Sequence, residues 1–253
     1  LDEGDSISLI KESLKELNID PKQYDPKKIK NVISREKGKF VHLADYSERE
    51  TNTYGGIISQ VWNLYEKKKN KENSLDFDDL LLKATKLLKE KPEILKIYQE
   101  KWEYIHIDEY QDTNEVQYLL SKMLAENNKN ICVVGDADQN IYSWRGANLK
   151  NILSFEKDYS NSKIVLLEEN YRSTKNILEA ANEIIKKNKY RPDKNLFTNK
   201  EKGEKISLYE ALEENDEAEF VATKILEIQD KLENVPLRGV SQADGPRGSA
   251  GLA

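Results

Sequence analysis

Apolar residues recur at three- and four-residue intervals through the first part of the chain. Ile7, Ile10, Leu14 and Leu17 share one face of a helix over residues 6–17. Ile29, Val32 and Ile33 mark a second, short helix after Pro26, and Ile57, Ile58, Val61, Trp62 and Tyr65 a third. The third ends in Lys67-Lys68-Lys69-Asn70-Lys71, a run that reads as a solvated helix end or, alternatively, as a phosphate contact. Phe77, Leu80, Leu81, Ala84, Leu87 and Leu88 repeat the helical spacing over 76–88. Up to about residue 75 no stretch has the pattern of a strand.

The pattern then changes. Tyr104-Ile105-His106-Ile107 is a short apolar run that ends in acids, the mark of a strand, and His106 within it reads as a packed strand residue. Val116, Leu119, Leu120, Met123 and Leu124 form the next helix face, and Ile131-Cys132-Val133-Val134 a second strand closed by Gly135. A helical stretch ends near Phe155, and Ile164-Val165-Leu166-Leu167 is expected as a third strand. Ser173-Thr174 stand at the N-cap of a helix bearing Ile177, Leu178, Ala181, Ile184 and Ile185. Ile206-Ser207-Leu208-Tyr209 is expected as a fourth strand, before a helix with Ala218, Val221, Ile225 and Ile228. Strands that alternate with helices predict an α/β fold with a parallel sheet, whose ligands bind beyond the carboxyl ends of the strands. From about residue 231 the periodicity fades, and Gly239, Gly245, Gly248 and Gly251 among Ser, Pro and Ala read as a flexible tail.

Composition narrows the class. The 253 residues allow one or two domains, and the net charge is -6. One cysteine, Cys132, excludes an internal disulfide framework and a cysteine-built zinc site. Only His42 and His106 are available as imidazole ligands, too few for a histidine metal site. No apolar run approaches the roughly 18 residues of a membrane span, and Leu1-Asp2-Glu3-Gly4-Asp5 lacks the pattern of a signal peptide. A soluble, cytoplasmic setting is expected. Mild acidity leaves nucleic acid open as a partner, because binding needs a local groove and not a basic total.

Three polar clusters follow strands. In the first, Asp108 and Glu109 stand at the end of the apolar run, in the Walker B arrangement. Asp108 is placed to hold Mg²⁺ and Glu109 to orient and deprotonate water; a solvated acidic turn is the other reading. In the second, Gly135 to Gly146, Gln139 is an amide able to touch both a terminal phosphate and an attacking water. Tyr142, Trp144 and Arg145 offer two rings and a guanidinium for stacking on unpaired bases, or else the rings belong to the core. In the third, Tyr171 and Arg172 precede a helix N-terminus, which favours anions. Arg172 fits an arginine finger there, or a surface ion pair.

In order and in detail, IHIDEYQDTN, CVVGDADQNIYSWRGA and LEENYRST resemble motifs II, III and IV of the UvrD/Rep/PcrA group of superfamily 1 DNA helicases, and SLDFDDLL at 74–81 is similar to that family as well. The resemblance runs from residue 1 to about 230. It implies RecA-like motor domains of the P-loop NTPase type, with ATP and Mg²⁺ between them and single-stranded DNA across them. It also implies ATP-driven 3′ to 5′ translocation and strand separation at duplex junctions, in DNA repair or replication. By motif, Asp108 resembles the Mg²⁺ ligand, Glu109 the catalytic base and Gln139 the coupler of γ-phosphate to DNA. Tyr142, Trp144 and Arg145 resemble residues of the DNA track, Tyr171 the adenine-stacking residue and Arg172 the γ-phosphate finger. Residues 1–75 resemble an all-helical subdomain inserted into the first motor domain, 76–167 part of that domain and 168–230 the start of the second, ahead of the tail at 231–253.

Two elements of the family pattern are missing: the P-loop, and the later motifs of the second motor domain with their second arginine. No G-x-x-x-x-G-K-[ST] occurs, and the single Gly-Lys pair, Gly38-Lys39, runs into Phe40. The chain is therefore expected to be an internal fragment that needs the remainder of the helicase polypeptide, with little ATPase activity by itself. The competing readings are a non-catalytic single-strand-binding module and the helicase subunit of a helicase-nuclease.

Overall fold

The computed structural model describes residues 1–188 and 194–233. The glycine-rich stretch expected as a tail lies outside them from residue 234 onward, while 231–233 form the last turn of a helix.

Six helices come first. α1 (Glu3–Glu16) starts at Asp2, whose carboxylate accepts the Asp5 N–H at 2.8 Å while Asp5 reaches back to the Asp2 N–H, a reciprocal cap. α2 (Pro26–Gly38) has Asp25 as cap and Pro26 in its first turn, where a missing N–H costs nothing. α3 (Leu43–Arg49) is short, and α4 (Thr53–Lys71) is capped by Asn52. α5 (Phe77–Glu90) repeats the reciprocal cap with Asp76 and Asp79, and α6 (Pro92–Lys101) begins on another proline. The main core lies here: Ile10, Leu14, Ile29, Ile33, Ile58, Val61, Trp62 and Tyr65 are buried together, with Tyr46 edging Trp62 at 5.6 Å between ring centroids. Full burial of each aliphatic side chain is worth about 1.5–3 kcal/mol.

A β-α-β unit follows. β1 (Ile105–Ile107) and β2 (Ile131–Val133) pair in parallel, Ile105 opposite Ile131 and Ile107 opposite Val133, with α7 (Glu115–Ala125) between them. The pairing runs on past β2, because Val134 N–H reaches the Ile107 carbonyl at 2.8 Å and Tyr110 N–H reaches the Val134 carbonyl at 2.9 Å. α7 packs on α5 and α6, so the sheet is tied to the helical bundle. His106 is exposed: in a two-stranded sheet its face has no covering layer.

The rest is looser. α8 (Lys150–Leu153) and α9 (Phe155–Asp158) are single turns, and Phe155 meets buried Tyr110 edge-on at 5.9 Å. α10 (Lys175–Ile185) and α11 (Glu214–Glu233) form as expected. Neither Ile164–Leu167 nor Ile206–Tyr209 is a strand. Residues 163–167 make no backbone–backbone hydrogen bond among the described residues, and Ile164, Val165, Leu166 and Leu167 are exposed. An apolar run becomes a strand only when a neighbouring backbone completes its ladder, and here none lies alongside. Among the described residues of this region, the one pairing is a parallel bridge of Glu169 with Phe197, on either side of α10 in sequence.

Candidate functional site

β1 delivers Asp108 and Glu109 to its carboxyl end, both exposed. Glu109 takes a left-handed backbone, φ 51°, ψ 42°, which is uncommon outside glycine. Asp108 Oδ1 accepts the Glu109 N–H at 2.9 Å. Behind them sits Gln111, almost fully buried. Its Nε2 donates to Glu109 Oε2 at 2.7 Å and its Oε1 accepts the Asp136 N–H at 3.0 Å. Asn140 donates to its main-chain carbonyl. Gly135 makes this contact possible, since a Cβ there would lie 2.6 Å from Gln111 Oε1 and 2.9 Å from Ile152 Cδ1. Sequence reasoning gave Gln111 no role. Its only signal was an uncharged amide two residues beyond an acidic pair.

The chain of bonds continues to Gln139, whose Nε2 donates to Asp136 Oδ2 at 3.0 Å and whose side chain is otherwise open to solvent. Burial pushes the Asp136 carboxyl up, but bonds from Lys194, Gln139 and the Asp138 N–H outweigh it and hold the group below its usual range. Lys194 and Asn188, from beyond α10, reach Asp136 and Asp138. The later part of the chain thus touches the glutamine loop.

Tyr142, Trp144 and Arg145 lie in one tight turn. The Arg145 guanidinium stands 4.6 Å from the Trp144 ring and 5.3 Å from the Tyr142 ring. Trp144 is 70% exposed, so it is not a core aromatic. A ring held against a cation on one side and open to water on the other has a face free for a further flat group.

Tyr171 and Arg172 are also exposed, and no hydrogen bond joins either of them to Asp108, Glu109 or Gln139. Tyr171 donates to Glu169 at 2.7 Å, and the N–H groups of Arg172 and Ser173 reach Asn170 Oδ1. Thr174 is the N-cap of α10 but makes no side-chain capping bond. The carbonyls of Glu201 and Lys202 take the N–H groups of Lys175 and Asn176 instead, so part of the donor set expected for an anion is already occupied.

A second polar cluster escaped the sequence reading. Lys37 on α2 and Lys69 on α4 are both buried between Glu66, Asp76 and Asp79. Lys37 Nζ lies 2.8 Å from Glu66, 2.9 Å from Asp76 and 2.7 Å from Asp79. Lys69 pairs with the same three acids, and Tyr65 donates to Asp76 at 2.9 Å. The lysine run at the end of α4 is therefore not wholly solvated. One turn of it points Lys69 inward, where the acids of SLDFDDLL meet it. The three carboxylates are spaced as for a cation, but two ammonium groups already neutralise them. Burial opposes charge on Asp76, yet the two lysines hold its carboxyl well below the usual range. The cluster joins α2, α4 and α5 and has no open ligand position.

A strand-end acidic pair is thus wired to a glutamine loop, beside an exposed aromatic turn. The UvrD/REP helicase N-terminal domain matches residues 1–160, and the UvrD-like helicase C-terminal domain matches residues 165–237. The chain belongs to the UvrD/REP helicase family. It is 52% identical over 225 residues to the ATP-dependent DNA helicase PcrA of Bacillus subtilis (strain 168), covering 89% of this chain and 30% of that protein. It is 48% identical over 229 residues to the protein of the same name from Staphylococcus aureus (strain Mu50 / ATCC 700699), covering 90% of this chain and 31% of that protein. The chain spans about 30% of the length of these relatives.

Proposed function

We propose that this chain is the central part of an ATP-dependent DNA helicase that moves 3′ to 5′ on single-stranded DNA and separates duplex at a junction, in repair or replication. Residues 1–75 act as an inserted helical subdomain, 76–167 as part of a RecA-like first motor domain and 168–230 as the start of the second. The remainder of the polypeptide completes the parallel sheet and supplies the phosphate-cradling loop. Among the described residues no helix is long and apolar enough to cross a membrane.

Mg·ATP, when bound, supplies the phosphoanhydride whose hydrolysis drives movement. The donor chemistry at the end of β1 suits it: Asp108 offers exposed carboxylate oxygen, the ligand that hard cations take. Glu109 accepts the proton of the attacking water while Gln111 fixes its carboxylate. With ATP bound, Gln139 and Arg172 would contribute polar contacts to its phosphates, and Tyr171 would offer a ring to its base. Tyr142, Trp144 and Arg145 carry the DNA bases.

The observation that carries this reading is the bond chain Glu109–Gln111–Asp136–Gln139. It ties the carboxylate of Glu109 to the glutamine loop at the end of the second strand. In the whole polypeptide, Glu109→Gln should lower DNA-stimulated ATP turnover by about 10²–10⁴-fold while nucleotide binding stays intact. Turnover at the parent rate would remove Glu109 from the base role and the reading with it.

A further inference from the structure

A cavity of about 350 Å³ separates α2 from the aromatic turn. Arg35 and Lys39 line one side of it, and Ser143, Gly146 and Asn148 the other. Its size is at the low end for ligand-binding cavities. The C-terminus of α2 is fixed there by contact, since a Cβ on Gly38 would lie 3.4 Å from the Asn114 side chain at the start of α7.

The two cations are held in place from below. Glu36 is buried, and its Oε1 takes Lys39 Nζ at 3.1 Å and Arg35 Nε at 3.4 Å, while its Oε2 takes Arg49 at 2.7 Å. Burial opposes the charge on Glu36, but its bonds to Arg49 and Lys39 hold it ionised, below the usual range. One buried carboxylate thus orders three cationic heads. Arg35 and Lys39 remain about half exposed at the cavity, and Arg35 meets Glu36 through Nε alone, which leaves its terminal fork for another acceptor. Glu50 pairs with Arg49 and does not line the cavity. Glu115, the one carboxylate on the lining, faces the Asn148 amide at 3.4 Å. The balance at the cavity is cationic, one residue from the stacking ring of Trp144.

We propose that Arg35 and Lys39 bind a backbone phosphate of single-stranded DNA beside the base stacked on Trp144, so that α2 forms a second wall of the strand track. This deepens the DNA reading above and rests on it. A ring that grips a base without regard to sequence leaves the phosphate one bond system away, and a preordered cationic pair is the partner that phosphate needs.

The test is fluorescence anisotropy of the 253-residue chain with labelled oligothymidylate, titrated across salt concentrations, with helical content checked by circular dichroism. The double variant Arg35→Gln, Lys39→Gln should weaken binding on the order of tenfold at 0.1 M salt. It should also flatten the slope of log affinity against log salt by about 0.7, the change expected for one single-strand phosphate contact. Trp144→Ala should weaken binding with the slope unchanged. Lys11→Gln, Lys15→Gln, exposed on α1 and equal in charge removed, should change neither. If the parent chain does not bind the oligonucleotide, the DNA reading fails and takes this inference with it. If the parent binds and Trp144→Ala weakens it, but the Arg35, Lys39 variant matches the parent or the α1 control loses as much, the phosphate site alone is overturned.

Discussion

The longer helices before residue 90 and those after residue 170 are equally clear in sequence, yet they have opposite fates. α1 and α4 bury Ile10, Leu14, Val61, Trp62 and Tyr65 in one core. α10 carries a well-separated apolar face, but of its residues only Leu178 is buried, and Ile177 and Ile184 stay exposed. Beyond residue 160, Leu178 and Thr198 are the only buried residues among those described. Amphipathic spacing chooses which face of a helix is apolar. Whether that face leaves water depends on a second surface, which the early helices supply to one another and the late ones do not find.

The sharpest way to break this contrast is to remove one buried ammonium. Lys37→Met leaves Glu66, Asp76 and Asp79 with Lys69 alone and should cost about 3–5 kcal/mol in urea denaturation followed by helical circular dichroism. Lys186→Met, at the exposed C-cap of α10, should stay within about 0.5 kcal/mol. Similar losses at the two sites would mean that the network does not anchor the bundle.

Next in size is the apolar pair Ile10→Ala and Ile164→Ala. The first opens a cavity in the packed core and should cost about 2–5 kcal/mol. The second removes an exposed side chain from an unpaired stretch and should fall within about 0.5 kcal/mol. A large loss at Ile164 would mean that this stretch is packed in solution.

The smallest effect is absent near neutral pH. Asp76 and Glu36 are held below their ordinary values of 3.8 and 4.5, so the stability they add is fully present above those values and is lost as pH falls through the depressed ones. Lys37 is shifted upward, so its share is lost only in strong alkali. Stability of the helical region should stay flat from about pH 6 to 9 and fall below about pH 4. A decline between pH 7 and 5 would point to a different titrating group.

The candidate site residues were legible as polar clusters because they adjoin the strands along the chain. Asp108 and Glu109 end an apolar run, and the aromatic turn follows the next one within a dozen residues. Gln111 was not legible, since its role exists only where Gly135 brings a second strand end against it. Lys69 was misjudged for the same reason. Nothing in a lysine-rich helix end says that one of its members faces two aspartates from the next helix. α6 was overlooked although Pro92 marks its start, and α3 is too short for its periodicity to register.

The sequence by itself determined the helix faces and the order of the acids, glutamine and rings along the chain, because spacing and side-chain type are properties of neighbours along the chain. Only the tertiary structure decided which apolar runs became strands, which lysines were buried and which amide joined the two strand ends. Those outcomes depend on a partner surface distant in sequence, and desolvation and pairing act only once that surface has arrived.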